Sequence, residues 1–387
     1  MPSAKILINK SFMYLDYHKL TQHVTIKIMK IFIDARWIRV DYHDGISRYS
    51  AGIIQGLHEN KIKFTVLIND KRQLESIPKG IPYKLVQSPL SFSELFMAKK
   101  LNEMKADIVY SPFQIMGTWG RKYKLILTLH DTIYYLHPQA PTNLPLAARI
   151  VWRIFHMAKW PQRFLLNNAD RVVTVSEYSK KNIENLKLTK REICVVYNAP
   201  NSLPKKRIKT DKTTKNIIYM GSFMPYKNVE VLIKGMNLMP HGFTLHLLSR
   251  ISEERKAELS QLIKHGVKVE FHNGTSEEEY IDLLKNAFCL ATGSKEEGFG
   301  LPIVEAQALG TPVVCSDMDI FKEVAGDGAL FFDYDSPEDF ATQATKLSNP
   351  KLRQDLIAKG YIQAKKFSWK NSGKKLHGIF LKLVSEK

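Results

Sequence analysis

Residues 287–315 constrain this chain more than any other stretch, because they read as two buried strands joined by a glycine loop and a short helix. The apolar runs Ala287-Phe-Cys-Leu-Ala-Thr292 and Pro312-Val-Val-Cys315 have the composition of strands covered on both faces. Between them Gly298 and Gly300 bracket Phe299. The spacing then predicts a helix from about Pro302 to Leu309, with proline at its start and Gly310 just past its end. Strand, loop, helix and strand in that order aim loop amides and a helix N-terminus at one point, which attracts anions. Glu297 in the loop and Glu305 on the helix set two carboxylates beside that point. Amides suit phosphates and carboxylates accept from hydroxyls, so the pattern fits a ligand that carries both.

The run Glu297-Gly-Phe-Gly-Leu-Pro-Ile-Val-Glu305 resembles the Glu-x7-Glu signature of retaining, nucleotide-sugar-dependent glycosyltransferases of the GT-B fold. Bacterial mannosyltransferases of surface polysaccharides belong to that group. The continuation from Gly310 to Asp327 is similar to the same group. The resemblance implies transfer of a hexose, with mannose favoured, from a GDP- or UDP-linked donor to a glycan or lipid-linked acceptor of the O-antigen or capsule type. It implies no cofactor beyond the nucleotide sugar, and no metal.

The length of 387 residues favours two domains of ordinary size. No apolar run approaches the ~18 residues that a transmembrane helix needs. Cys194, Cys289 and Cys315 fall in apolar runs without metal-ligand spacing, and read as small buried hydrophobes of a reducing compartment. Residues 1–28 lack the cleavage site and apolar core of a secretory signal, and Met29 opens a plausible first strand. They are read as an N-terminal extension or a misassigned start. Lys plus Arg number 57 against 38 Asp plus Glu, a net charge of +19. That balance favours anionic partners, with membrane surfaces and phosphorylated substrates ahead of nucleic acid, for which no binding pattern is present.

Short Val- and Ile-rich runs alternate with helix-length segments: 30–33, 64–68, 107–110, 124–129, 171–175 and 193–196, then 216–220, 243–248, 267–271 and 329–332 around the opening stretch. This predicts two Rossmann-like, doubly wound parallel-sheet domains, with ligands outside the carboxyl ends of the strands. The expected division is a 29–203 acceptor-binding domain, a basic linker over 204–215, a 216–366 nucleotide-sugar domain, and a 367–387 helix that crosses back to the first half.

Four further stretches match the family. Asp44-Gly-Ile-Ser-Arg-Tyr49 resembles its glycine-rich donor loop at Gly45, with Ser47 in place of the second glycine; an ordinary helix N-cap at Ser47 is the alternative. His130 follows a strand, where the family's histidine contacts the donor sugar and where a proton that shifts near neutral pH would serve. Ser176 opens a Ser-x-x-Ser turn that also reads as a simple N-cap. Lys227 matches the family's diphosphate lysine, whereas the partner arginine is missing: Ser222 stands at its place, and Arg250 is the possible substitute. The segment Thr275-Ser-Glu-Glu-Glu279 reads as structural.

The resemblance therefore casts Glu297 and His130 as catalytic, holding the sugar. Gly45, Lys227, Gly298, Phe299, Gly300, Leu301 and Glu305 become donor ligands, with Glu305 on the ribose. Between 143 and 163 apolar residues at helical spacing interleave with Arg149, Arg153, Lys159, Arg163, Trp152 and Trp160. This segment reads either as a peripheral anchor on an anionic membrane, at the cytoplasmic face, or as a core helix with a solvated basic face. A sugar-nucleotide 2-epimerase on the same fold and a non-catalytic basic membrane- or nucleic-acid-binding protein remain the alternatives to a transferase.

Overall fold

The computed structural model describes residues 29–41, 44–138, 145–200 and 214–386. The 1–28 extension, the linker through residue 213 and the first residues of the 143–163 segment lie outside the described residues.

Seven parallel strands make the first sheet: β1 (Ile31–Asp34), β2 (Thr65–Ile68), β3 (Tyr83–Leu85), β4 (Ile108–Ser111), β5 (Lys124–Thr128), β6 (Arg171–Thr174) and β7 (Ile193–Val195). Their order is β3-β2-β1-β4-β5-β6-β7. Six more make the second: β8 (Asn216–Tyr219), β9 (Thr244–Leu247), β10 (Lys268–Phe271), β11 (Cys289–Thr292), β12 (Val313–Ser316) and β13 (Ala329–Phe332), in the order β10-β9-β8-β11-β12-β13. Helices cover both faces, so the central strands bury every residue, and this is why their sequences are continuous apolar runs. The strand β3 has no such run because Tyr83, Lys84 and Leu85 are all exposed at the sheet edge, and the sequence reading missed it. Cys194 is only part-buried, unlike the fully buried Cys289 and Cys315.

In each sheet the winding reverses once, between β1 and β4 and between β8 and β11. Loops leaving the two strands of such a reversal diverge and open a crevice at their carboxyl ends.

The helix after β1, Gly45–Glu59, is capped by Asp44, whose carboxylate accepts from Ser47 N at 2.8 Å. Ser47 is therefore not the cap; it is buried one turn inside, and its hydroxyl accepts from Arg39 N at 3.0 Å. The last helix, Trp369–Ser385, packs on Gly45–Glu59. Glycines make that contact possible, since a Cβ on Gly56 would lie 1.9 Å from the Trp369 carbonyl oxygen. Ser372 Oγ then donates to Tyr197 O at 2.7 Å, and Lys382 pairs with Glu192. The rings of Tyr197, Phe299 and Phe367 continue the core from one domain into the other, with Phe367 5.3 Å from each of its neighbours.

Candidate active site

Because β8 and β11 are adjacent, the loops that follow them lie side by side, and Lys227 from the first meets Glu297 from the second. Their ammonium and carboxylate form an ion pair, each side chain less than a fifth exposed. Gly45, His130, Lys227, Glu297, Gly298, Phe299, Gly300, Leu301 and Glu305 all line one cavity of about 480 Å³ between the two sheets. Residues scattered over 260 positions of the sequence thus share one enclosure.

The glycine loop has physical reasons for its residues. A Cβ at Gly298 would lie 2.8 Å from the Cβ of Asp131 in the other domain, so only glycine allows this approach. Gly300 has φ of +93° and lets the chain turn into the helix Leu301–Leu309, whose N-terminus faces the cavity. Phe299 is almost wholly buried, its ring edge-on to Phe367. Ser176 does not line the cavity. It caps the helix Glu177–Asn185, accepting from Ser179 N, and its own hydroxyl donates to Gly298 O at 2.8 Å. The N-cap reading of Ser176 therefore holds, and its hydroxyl supports the glycine loop from outside the cavity. The C-terminal domain reciprocates: Glu323 accepts from the free amides of Glu177 and Tyr178 at 2.8 and 2.9 Å, closing the exposed N-terminus of that helix.

His130 is set deep beside β5. Its Nε2 lies 2.8 Å from Pro112 O, which can only accept, so Nε2 carries the proton and Nδ1 keeps its lone pair. Burial pulls the imidazole down to about 4, so it stays neutral through the physiological range, contrary to the expectation of a proton that shifts near neutrality. Tyr49 stands edge-on to the ring at 4.8 Å and is itself held by its bond to Val196 O and by the Tyr110 hydroxyl.

Glu305 is buried, accepts from the Tyr280 hydroxyl at 2.7 Å and lies 3.7 Å from Arg48 Nη1. Burial pushes its carboxyl above the ordinary range, opposed by those two partners. Arg48, Asp131 and Tyr280 are cavity residues that the sequence reading did not single out. Arg48 was within reach, as it belongs to the glycine-loop motif. Tyr280 sits on the helix Glu277–Lys285 of the segment read as structural, and its contact with Glu305 depends on tertiary packing.

Two expected donor residues lie elsewhere. Ser222 and Arg250 line a second cavity of about 900 Å³, opposite Leu146, Arg149, Ile150 and Arg153. Arg250 is thus no substitute for the missing arginine in the cleft; Arg48 is the second cation there. The 143–163 segment forms the helices Leu146–Ala158 and Trp160–Asn167, and the core-helix reading of it fails. Leu146, Val151, Ile154, Met157, Trp160 and Phe164 are each more than 60% exposed. Trp152 turns inward onto Tyr134, and Arg163 is engaged with the backbone carbonyls of Leu186 and Lys187.

Comparison with known proteins agrees with this architecture. Residues 43–201 match the family Glycosyltransferase Family 4, and residues 203–363 match Glycosyl transferases group 1. The chain is 26% identical over 323 residues to the O-antigen chain mannosyltransferase RfbU of Salmonella typhimurium, covering 79% of this chain and 89% of that protein. It is 32% identical over 161 residues to O-antigen chain mannosyltransferase B of Escherichia coli, covering 40% of this chain and 42% of that one. Among solved structures, sucrose-phosphate synthase of Thermosynechococcus elongatus superposes with a TM-score of 0.69 at 16% identity, over 93% of this chain and 100% of that one. Alr3699/HepE of Anabaena, in complex with UDP and glucose, superposes at 0.66 with 17% identity, over 91% and 99% of the two chains.

Proposed function

Because this chain is a GT-B glycosyltransferase, a Family 4 domain followed by a group 1 domain, we propose that it moves a hexose, mannose first, from a nucleoside diphosphate donor to a growing surface glycan or lipid-linked acceptor, with retention at the anomeric carbon. The observation that carries this reading is the convergence of Lys227, Glu297, Glu305, His130 and the Gly298–Leu301 amides on one interdomain cavity. As the diphosphate leaves, negative charge grows on its oxygens and positive charge on the anomeric carbon. Lys227 and the helix N-terminus at Leu301 meet the first, in a partly dehydrated site where such contacts are strong.

Glu297 shares its carboxylate with Lys227 and Ser294 in the free protein, and accepts sugar hydroxyls once the diphosphate draws the lysine away. Glu305, oriented by Tyr280, accepts the ribose hydroxyls. His130 offers the Nδ1 lone pair to a hydroxyl on the other side of the sugar. No protein carboxylate is assigned as nucleophile, so retention follows front-face attack assisted by the departing phosphate. Nucleoside diphosphate release that depends on added acceptor tests the reading; release without acceptor, or epimerised donor in its place, refutes it.

The acceptor side is the large cavity with its adjoining helices. The apolar residues of Leu146–Ala158 lie against lipid, Arg149 and Arg153 face anionic headgroups, and the enzyme works as a peripheral protein on the cytoplasmic membrane face. No helix of the described residues is long and apolar enough to cross a membrane.

A further inference from the structure

At the open edge of the second sheet, away from the cleft, three side chains with metal-ligating atoms come together. Parallel register sets His246 on β9 opposite Glu270 on the edge strand β10. His272, two residues on, continues the ladder through its amide to Leu247 O at 3.0 Å, so the two-residue period of a strand returns it to the face of Glu270. His246 Nδ1 lies 3.0 Å from His272 Nε2 and 3.2 Å from Glu270 Oε2, and the three ligand atoms all lie within 4.8 Å of one another.

Two nitrogens and a carboxylate oxygen bound at ~2.0–2.2 Å to a tetrahedral ion sit about 3.4 Å apart, close to the two separations from His246 Nδ1. Behind His272 stands Glu279, with a carboxylate oxygen 3.8 Å from its Nδ1. The His246 side chain is nine-tenths buried and the Glu270 side chain more than half exposed, which gives the cluster an anchored base and a solvent-facing fourth position.

We propose that His246, Glu270 and His272 bind a divalent late first-row transition metal, Zn2+ first among them, as a structural clip that ties the edge strand β10 to β9. Donors of this kind select such ions over Mg2+ or Ca2+, which prefer all-oxygen sets. The site is independent of the transfer reaction, since none of its residues lines the cleft cavity.

The test uses the full chain stripped by a chelator and titrated with Zn2+ by calorimetry, and with Co2+ by absorption. One saturable Zn2+ site per chain is expected, with a tetrahedral Co2+ spectrum that Zn2+ displaces. Glu270→Gln, at an exposed side chain, and His272→Gln, at a part-buried one, should each weaken binding at least tenfold while circular dichroism stays unchanged. Zn2+ should also raise the melting temperature of the wild type and not that of His272→Gln. Absence of saturable binding in the wild type overturns the proposal and leaves a hydrogen-bonded network. Binding of equal strength in both variants also overturns it, by placing the ion elsewhere.

Discussion

The two interdomain cavities differ in charge. The smaller, in the cleft, is lined by two cations, Arg48 and Lys227, and four carboxylates, Asp44, Asp131, Glu297 and Glu305. The larger is lined by four arginines and only two carboxylates, Glu254 and Glu258. Each cleft cation already has a carboxylate partner, whereas the guanidinium groups of Arg149, Arg153 and Arg250 make no hydrogen bond or ion pair with any described residue. Phosphate entering the cleft must therefore exchange for a carboxylate, while an anion entering the larger cavity finds guanidinium groups ready. An acid-rich cleft suits a ligand made mostly of hydroxyls, with its phosphates confined to one lysine and a row of amides. The basic cavity beside an exposed apolar helix suits an anionic headgroup joined to hydrocarbon.

The strongest way to break this contrast is Glu297→Gln. Transfer should fall at least about a hundredfold, the scale of losing one preorganised polar contact to the transition state. Nucleoside diphosphate affinity, read by calorimetry, should hold or rise, because the substitution frees Lys227. Normal turnover in the folded variant would remove Glu297 from the mechanism.

Lys227→Ala should weaken free nucleoside diphosphate and intact donor alike, by about tenfold or more, since a charge-assisted contact is worth roughly 1.5 to 3 kcal/mol. Arg250→Ala should leave both affinities within about twofold in the same calorimetry, because it lines a different cavity from Lys227. Equal losses in the two variants would merge the cavities into one site.

Arg149→Ala with Arg153→Ala should weaken binding to anionic liposomes roughly thirtyfold at low salt, at about 1 kcal/mol for each arginine, with donor affinity unchanged. Sedimentation with vesicles reads this, and raised salt should erase the difference. Wild-type protein that ignores such vesicles would leave the apolar helix without its proposed surface.

The smallest effect concerns pH. His130 is held near 4 against about 6.5 when unfolded, so the unfolded chain binds the extra proton first as pH falls through that window. Stability should drop by on the order of 2 kcal/mol between pH 7 and 5, and less in His130→Gln, as followed by thermal melts. The transfer rate should show no break from His130 between pH 5.5 and 8.

What lay open in the sequence was whatever depends on neighbours along the chain. Continuous apolar runs gave away the buried strands, Pro302 and Gly310 bounded the helix after the glycine loop, and Glu297 and Glu305 stood out by their spacing about that loop, because strand burial, helix ends and turns are local matters. The edge strand β3 escaped because no burial shapes its residues. Only the tertiary structure decided which distant groups meet. It paired Lys227 with Glu297, set Tyr280 and Arg48 on Glu305, moved Arg250 to the other cavity, and laid Ser176 on Gly298. It also set His130 in surroundings that lower its proton affinity, against the expectation of a proton that shifts near neutrality, and exposed the apolar face of Leu146–Ala158, against the core-helix alternative. Protonation and partnership are set by what surrounds a side chain in space, and a single sequence carries no record of contacts between domains.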